Sequence, residues 1–264
     1  MIRVGTAIVL LTIVAALLGP IASPYDPAAQ ELSRRLESPS LSHPFGLDEL
    51  GRDILARLLS GARISLLVGL AVVSVSSVVG MTLGSIAGYF GGLVDDVISR
   101  VVDVLMAFPG ILLAIALVAV LGPSLTNVVI ALSVIGWVGY ARLVRSQALR
   151  AREFEFVQAA RALGAGAPRI VLRHVLPTAL PAVVVQATLG MAGAIIAEAS
   201  LSFLGLGVQP PTPSWGTMLD AGRSHLFDAP HLTIFPGLAI ATLVLGFNFL
   251  GDGLRDRVDP KLAK

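Results

Sequence analysis

Cysteine is missing from all 264 residues, which removes disulfides, thiolate metal sites and cysteine nucleophiles together. Lysine is almost missing: Lys261 and Lys264, near the C-terminal end, are the only two. A Gly-x-x-x-x-Gly-Lys-Ser/Thr loop therefore cannot be built, and nucleotide must be handled by another chain. Neither His-Glu-x-x-His nor Gly-x-Ser-x-Gly occurs, and His43, His174, His225 and His231 do not cluster at ligand spacing, so no catalytic residue, metal or cofactor is assigned. Charge is scarce as well. Only 14% of residues are charged, against about 25% in a soluble domain. Hydrophobic residues make up 55%, and mean hydropathy is +0.84. One core cannot hide that much apolar surface, so the excess must face lipid. Disorder is excluded by the same content, and 27 Gly with 16 Pro suit packed membrane helices.

Runs without charge locate the crossings, since about 20 helical residues span the hydrocarbon. Six fit: Val4 to Tyr25, Ile64 to Val94, two within Val104 to Tyr140 separated by the turn Leu121 to Asn127, Val175 to Ala197, and Leu232 to Gly251. The expected class is an all-α polytopic membrane protein with six transmembrane helices. The organisation predicted is an N-terminal helix over 1–25, an external segment over 26–63, a five-helix core over 64–251 and a tail over 252–264. The start, Met-Ile-Arg before an apolar stretch, also resembles a cleaved signal, but the stretch is already at a signal's upper length before Gly19 and Pro20 extend it.

Basic residues orient the chain. The stretch 142–175 holds Arg142, Arg145, Arg150, Arg152, Arg161, Arg169 and Arg173 against Glu153 and Glu155. Placing it inside puts both termini inside and 13 of the 19 basic residues on the cytoplasmic side.

Three stretches carry specific expectations. In 50–63, Leu50, Ile54, Leu55, Leu58 and Leu59 recur at helical spacing. They predict a surface-lying amphipathic helix leading into the second span, with Asp48–Arg52 and Asp53–Arg57 as exposed pairs four apart. Gly80, Gly84, Gly88 and Gly92 place a bare stripe on one helical face, suited to close approach by another helix. In 142–175, a helix through Leu163 is followed by a break at Gly164, Ala165 and Gly166 and a restart at Pro168. Phe156, Ala159, Ala160 and Leu163 form a small apolar face beside arginines, suited to a groove on a partner; a plain basic loop is the alternative. In the external loop 203–230, Trp215 after the proline-rich turn reads as an interfacial anchor. Glu198, at the outer end of the fifth span, reads either as a translocation-path candidate or as a packing group.

The stretch "QAARALGAGAPRIVLRHVLP" (158–177) resembles the signature of ABC-importer membrane subunits: Glu-Ala-Ala, three residues, Gly, then Ile-x-Leu-Pro. Ala159, Ala160, Gly164, Leu176 and Pro177 match in register; Gln158 stands at the Glu position and His174 at the Ile position. "HPFGLDELGRDILARLLSGARISLLVG" (43–69), "AEASLSFLGLGVQPPTPSWGTML" (197–219) and "NFLGDGLRDRVDP" (248–260) resemble the C-type permease of the dipeptide, oligopeptide and nickel importers. The resemblance covers most of the chain. It implies the type I importer fold, and a coupling helix over Phe156 to Gly164, with Gln158 and Arg161 on it, docking on an ATP-hydrolysing subunit. Its partners would be a second homologous permease, two ATP-binding cassette subunits holding ATP and Mg, an external binding protein and membrane lipid, with no nucleic acid. Dipeptide, oligopeptide, nickel and glutathione remain open as cargo.

A self-sufficient transporter driven by an ion gradient is the competing function; it needs midplane carboxylates or broken helices in repeated halves, and neither is clear here. A membrane-embedded hydrolase lacks a nucleophile and base pair.

Overall fold

The computed structural model describes residues 1–258; Lys261 and Lys264 of the expected tail lie outside this range. Among the described residues the only extended pairing is an isolated bridge between Leu47 and Asp53. The rest is helix and connecting loop. The helices are α1 (Ile2–Ala22), α2 (Ile54–Phe90), α3 (Gly92–Met106), α4 (Gly110–Leu121), α5 (Leu125–Ala151), α6 (Glu155–Ala162), α7 (Ala167–Ile170), α8 (Leu176–Phe203), α9 (Trp215–Gly222) and α10 (His231–Val258). Five rods are long and apolar enough to cross a membrane: α1, α2, α5, α7 with α8, and α10. The pair α3 and α4 makes a sixth if counted together, bent by 86° at their junction.

That bend corrects the expected third span, which was to run straight from Val104. Pro109 has no N–H to extend a helix and disfavours helical geometry at Phe108. The chain breaks there, and Pro109 becomes the cap of α4.

The stripe of small residues sets the closest helix contact. A methyl group on Gly80 would overlap Tyr140 and the Trp137 carbonyl, one on Gly84 would overlap Ala141, and one on Gly88 would overlap Ala148 and the Arg145 carbonyl. All three therefore face α5. Gly92 does not share the stripe. Helix α2 ends at Phe90, Gly91 caps it, and Gly92 opens α3 with φ +54 and nothing within 4 Å of a would-be Cβ. A left-handed residue pair turns the chain out of α2 here, and glycine takes that geometry at least cost.

The stretch expected to lie on the surface is instead the first turns of α2. Ile54, Ala56, Arg57 and Ala62 are buried there. Asp53 caps the helix by accepting from Ala56 N–H at 2.7 Å, and its other oxygen meets His43 Nδ1 at 2.8 Å. Asp48, which precedes the helix, accepts from the backbone N–H groups of Leu50 and Arg52 and from Arg52 Nε at 2.7 Å, and stands 3.4 Å from Arg57 Nε. The predicted exposed pair Asp53–Arg57 is not formed. The physical reason is that Asp53 satisfies a helix end, leaving Arg57 to Asp48 in a buried cluster. Nearby, the Arg34 guanidinium grips the half-buried Glu37 carboxylate, Nη2 to Oε2 2.6 Å, and holds its pKa below the ordinary value.

Trp215 is likewise no surface anchor. It is buried against Gly61, and its Nε1 donates to the Leu58 carbonyl at 2.9 Å, locking the loop after α8 onto the start of α2.

Substituting Gly84→Val should cost about 1–3 kcal/mol or more by overpacking α2 against α5, read as a lower melting temperature in detergent. Gly237→Ala, in α10 with open space around it, should be neutral or mildly stabilising in the same assay.

Candidate functional site

Two features remain after the packing is accounted for: a projecting two-helix knob and a cavity within the helix bundle. The knob is built by α6 and α7. Helix α6 ends in a turn where Ala165 N–H donates to Ala160 O and Gly164 N–H donates to Arg161 O, each at 3.0 Å. Gly164 carries φ +85, the left-handed residue this ending requires. Gly166 then caps α7, whose first turn holds Pro168. Val157 and Ile170 are fully buried with Ala148, Ala151 and Val175 and fix the knob to the ends of α5 and α8.

What the knob does not bury is apolar. Phe154, Phe156 and Leu163 are 44%, 49% and 89% exposed. Ala159 is exposed and Ala160 half-buried. The Phe156 ring lies 5.4 Å from Phe154 and 5.9 Å from His174, centroid to centroid. The Arg161 guanidinium sits 5.4 Å over the Tyr89 ring, an attraction that ties the knob to the last turn of α2. Gln158 turns back on its own segment, Nε2 donating to Glu153 O at 3.2 Å. Pro177 stands apart from the knob, in the first turn of α8. Between α7 and α8 the chain passes through a wider π-helical turn, Val171–Val175. Sequence reasoning missed Phe154 and Tyr89. An aromatic at the start of α6 and a tyrosine closing an apolar helix were the signals available.

The cavity, about 280 Å³, lies between α2, α4, α5 and α8. Ser76, Tyr140 and Gln186 bring its polar groups, Gly190 and Gly193 leave room beside α8, and no charged residue lines it. Glu198 is not there. Its neighbour Ala197 faces the cavity, whereas Glu198 is wholly buried, accepting from Ser202 Oγ at 2.7 Å and from Ser65 Oγ at 3.4 Å. Through these contacts Glu198 joins α8 to α2. Among the described residues no group of His, Asp and Glu converges as a metal site.

Residues 80–264 match the family described as the binding-protein-dependent transport system inner membrane component. The chain belongs to that family. As a permease of this kind it is the translocating membrane subunit of an ATP-driven importer, and the reading of a self-sufficient ion-driven transporter falls away. The permease is 48% identical over 259 residues to the dipeptide transport system permease protein DppC of Alkalihalophilus pseudofirmus, covering 98% of this chain and 85% of that one. It is also 48% identical over 255 residues to the glutathione transport system permease protein GsiD of Pectobacterium atrosepticum, covering 96% and 85%. Among solved structures, a chain of the inward-facing MetNI methionine ABC transporter, in its CY5 native crystal form, superposes with a TM-score of 0.61 at 21% identity, covering 76% of the permease and 96% of that chain. The permease thus has the type I importer fold.

The serine contacts of Glu198 separate two variants. Glu198→Gln keeps acceptor and volume and should alter thermal stability little, whereas Glu198→Ala strands two buried hydroxyls and leaves a gap, costing roughly 2–4 kcal/mol. A variant pair of unchanged stability but lost transport would instead place the carboxylate on the solute's route.

Proposed function

We propose that the permease pairs with a second, homologous permease to form the pathway for uptake of short peptides, glutathione included, and that the α6–Gly164–α7 knob is the lever through which separate ATP-hydrolysing subunits move it. The observation that carries this reading is the unburied apolar face of the knob. Phe154, Phe156 and Leu163 project from a basic segment rooted by Val157 and Ile170. A short helix that leaves aromatic and leucine side chains open is suited to a groove on a partner. Gln158 supplies no carboxylate for an ion pair there, so attachment rests on apolar contact and on Arg161, Arg169 and Arg173 at the rim. ATP and Mg belong to the partner subunits, an external binding protein delivers the solute, and this chain moves its cargo without making or breaking bonds.

The reading of cargo rests on the two relatives named for a dipeptide and for glutathione, both small peptides. Its physical support is a cavity with amide and hydroxyl groups and no charge, able to pass side chains of differing kind. Nickel as cargo has less support from a wall without carboxylate or imidazole.

In the mechanism proposed, the knob faces the cytoplasm with both termini. ATP closes the paired motor subunits, which displaces the knobs. Because Val157 and Ile170 lock each knob to α5 and α8, the displacement reaches two of the four helices that wall the cavity. ATP and solute must each bind one cavity orientation better than the other for hydrolysis to drive import.

Phe156→Ala and Leu163→Asp should weaken attachment of the motor subunits by about 2 kcal/mol, roughly thirtyfold, measured by co-purification and by solute-stimulated ATP hydrolysis, with the permease fold retained. For sidedness, single cysteines in this cysteine-free chain at Arg152 and at the fully exposed Leu41 should label from opposite sides with an impermeant reagent. Labelling of position 152 from outside would invert the topology.

A further inference from the structure

On α8, the cavity between α2, α4, α5 and α8 is lined by Gln186, Gly190, Gly193, Ala194 and Ala197. These positions share one helical face, bare except for the amide of Gln186 at its end. At 1.5 Å per residue the face is about 16 Å long, roughly half the depth of the hydrocarbon layer. A bare groove of that length along a membrane-crossing helix suits a small, elongated solute.

Two hydroxyls reach the same cavity from neighbouring helices, and the protein satisfies neither of them well. Ser76 of α2 is buried, and its Oγ has no hydrogen-bond partner among the described residues. A helical serine or threonine ordinarily bonds back to a carbonyl three or four residues earlier. Ser77, Thr82 and Ser85 of the same helix do so at 3.0, 2.8 and 3.0 Å, so nothing in the helix itself keeps Ser76 from doing the same. Tyr140 of α5 has only a long contact, Oη to the Gln186 carbonyl at 3.4 Å, outside the range of a good O–H···O bond. The backbone makes room for both groups: a methyl on Gly136 would overlap Ser76 Oγ, and one on Gly190 would overlap Tyr140 Oη. A buried hydroxyl left in this state is destabilising unless something else supplies its bond.

Resting on the peptide reading of the cargo, we propose that Ser76, Tyr140 and Gln186 bind the peptide group of the solute in transit, with Gln186 Oε1 accepting its N–H and the two hydroxyls donating to its carbonyl oxygen. A trans peptide group is planar and turns its N–H and C=O to opposite sides, so it calls for acceptor and donor on different helices. Helix α8 supplies the amide, and α2 and α5 the hydroxyls. The charged termini of a peptide find no counterpart, because no charged residue lines the cavity and an ion there would lose its hydration with nothing in exchange. The peptide group is common to all short peptides, so a site that reads it accepts differing side chains.

ATP-driven uptake at limiting solute, by the intact importer complex in proteoliposomes, tests this. Alanylalanine and glutathione are each compared with an isosteric ester in which oxygen replaces the N–H of the C-terminal peptide bond. The same external binding protein serves every arm, so its own preference cancels between native and variant complexes. Gln186→Leu should lower the peptide-over-ester uptake ratio roughly fivefold, the scale of one uncharged hydrogen bond. Ser76→Ala should reduce uptake of peptide and ester alike by a similar factor; it removes an unsatisfied hydroxyl, so the fold should be no less stable. Ser133→Ala, which deletes an unpartnered hydroxyl of α5 outside the cavity, should change neither uptake nor ratio. An unchanged ratio in Gln186→Leu, or unchanged uptake in Ser76→Ala, overturns the site and leaves the peptide importer standing. A native complex that imports neither peptide overturns both.

Discussion

Apolar side chains lose no water when one membrane helix meets another, so helix pairing in lipid must come from contact itself. Here that contact is made where Gly80, Gly84 and Gly88 let the backbone of α2 come down onto α5. Everything functional hangs from this pair. Helix α5 runs on to root the knob through Ala148 and Ala151, and α2 and α5 form two of the four walls of the uncharged cavity. A looser α2–α5 contact would loosen the knob from the cavity.

At the opposite end, the molecule spends polar groups freely. His43, Asp48, Arg52, Asp53 and Arg57 are all buried; Asp48 meets Arg52 and two backbone N–H groups, and Asp53 meets the His43 ring and the Ala56 N–H. Burying charge is costly unless the partners are complete, and the partners here seat the segment before α2 on its first turns. Trp215 and the Glu198 serine pair extend the same fastening to the loop after α8. The permease is thus held rigidly at the face away from the knob.

Legibility in the sequence followed the physics of each element. Crossings, the glycine stripe over 80–88 and the glycine break at 164 were readable because each depends on local residue type. The bend at Pro109 was readable in principle, but a long uncharged run masked it. Residues 48–63 were misread because amphipathic spacing looks the same whether the polar face meets water or a folded cover. Whether Trp215 anchors in lipid headgroups or fills a core is equally invisible, since either role wants an aromatic with one donor. The carboxylate of Glu198 was visible at once; its serine partners, one of them 133 positions away, were not.

The π-helical turn between α7 and α8 has a geometric consequence. A widened turn carries one residue beyond the regular repeat, so the part before it is clocked about 100° around the helix axis relative to an unbroken rod. The phase between the knob and the cavity-facing side of α8 is therefore written into a single extra residue within Val171–Val175. Torque applied at one end arrives at the other with its azimuth already set.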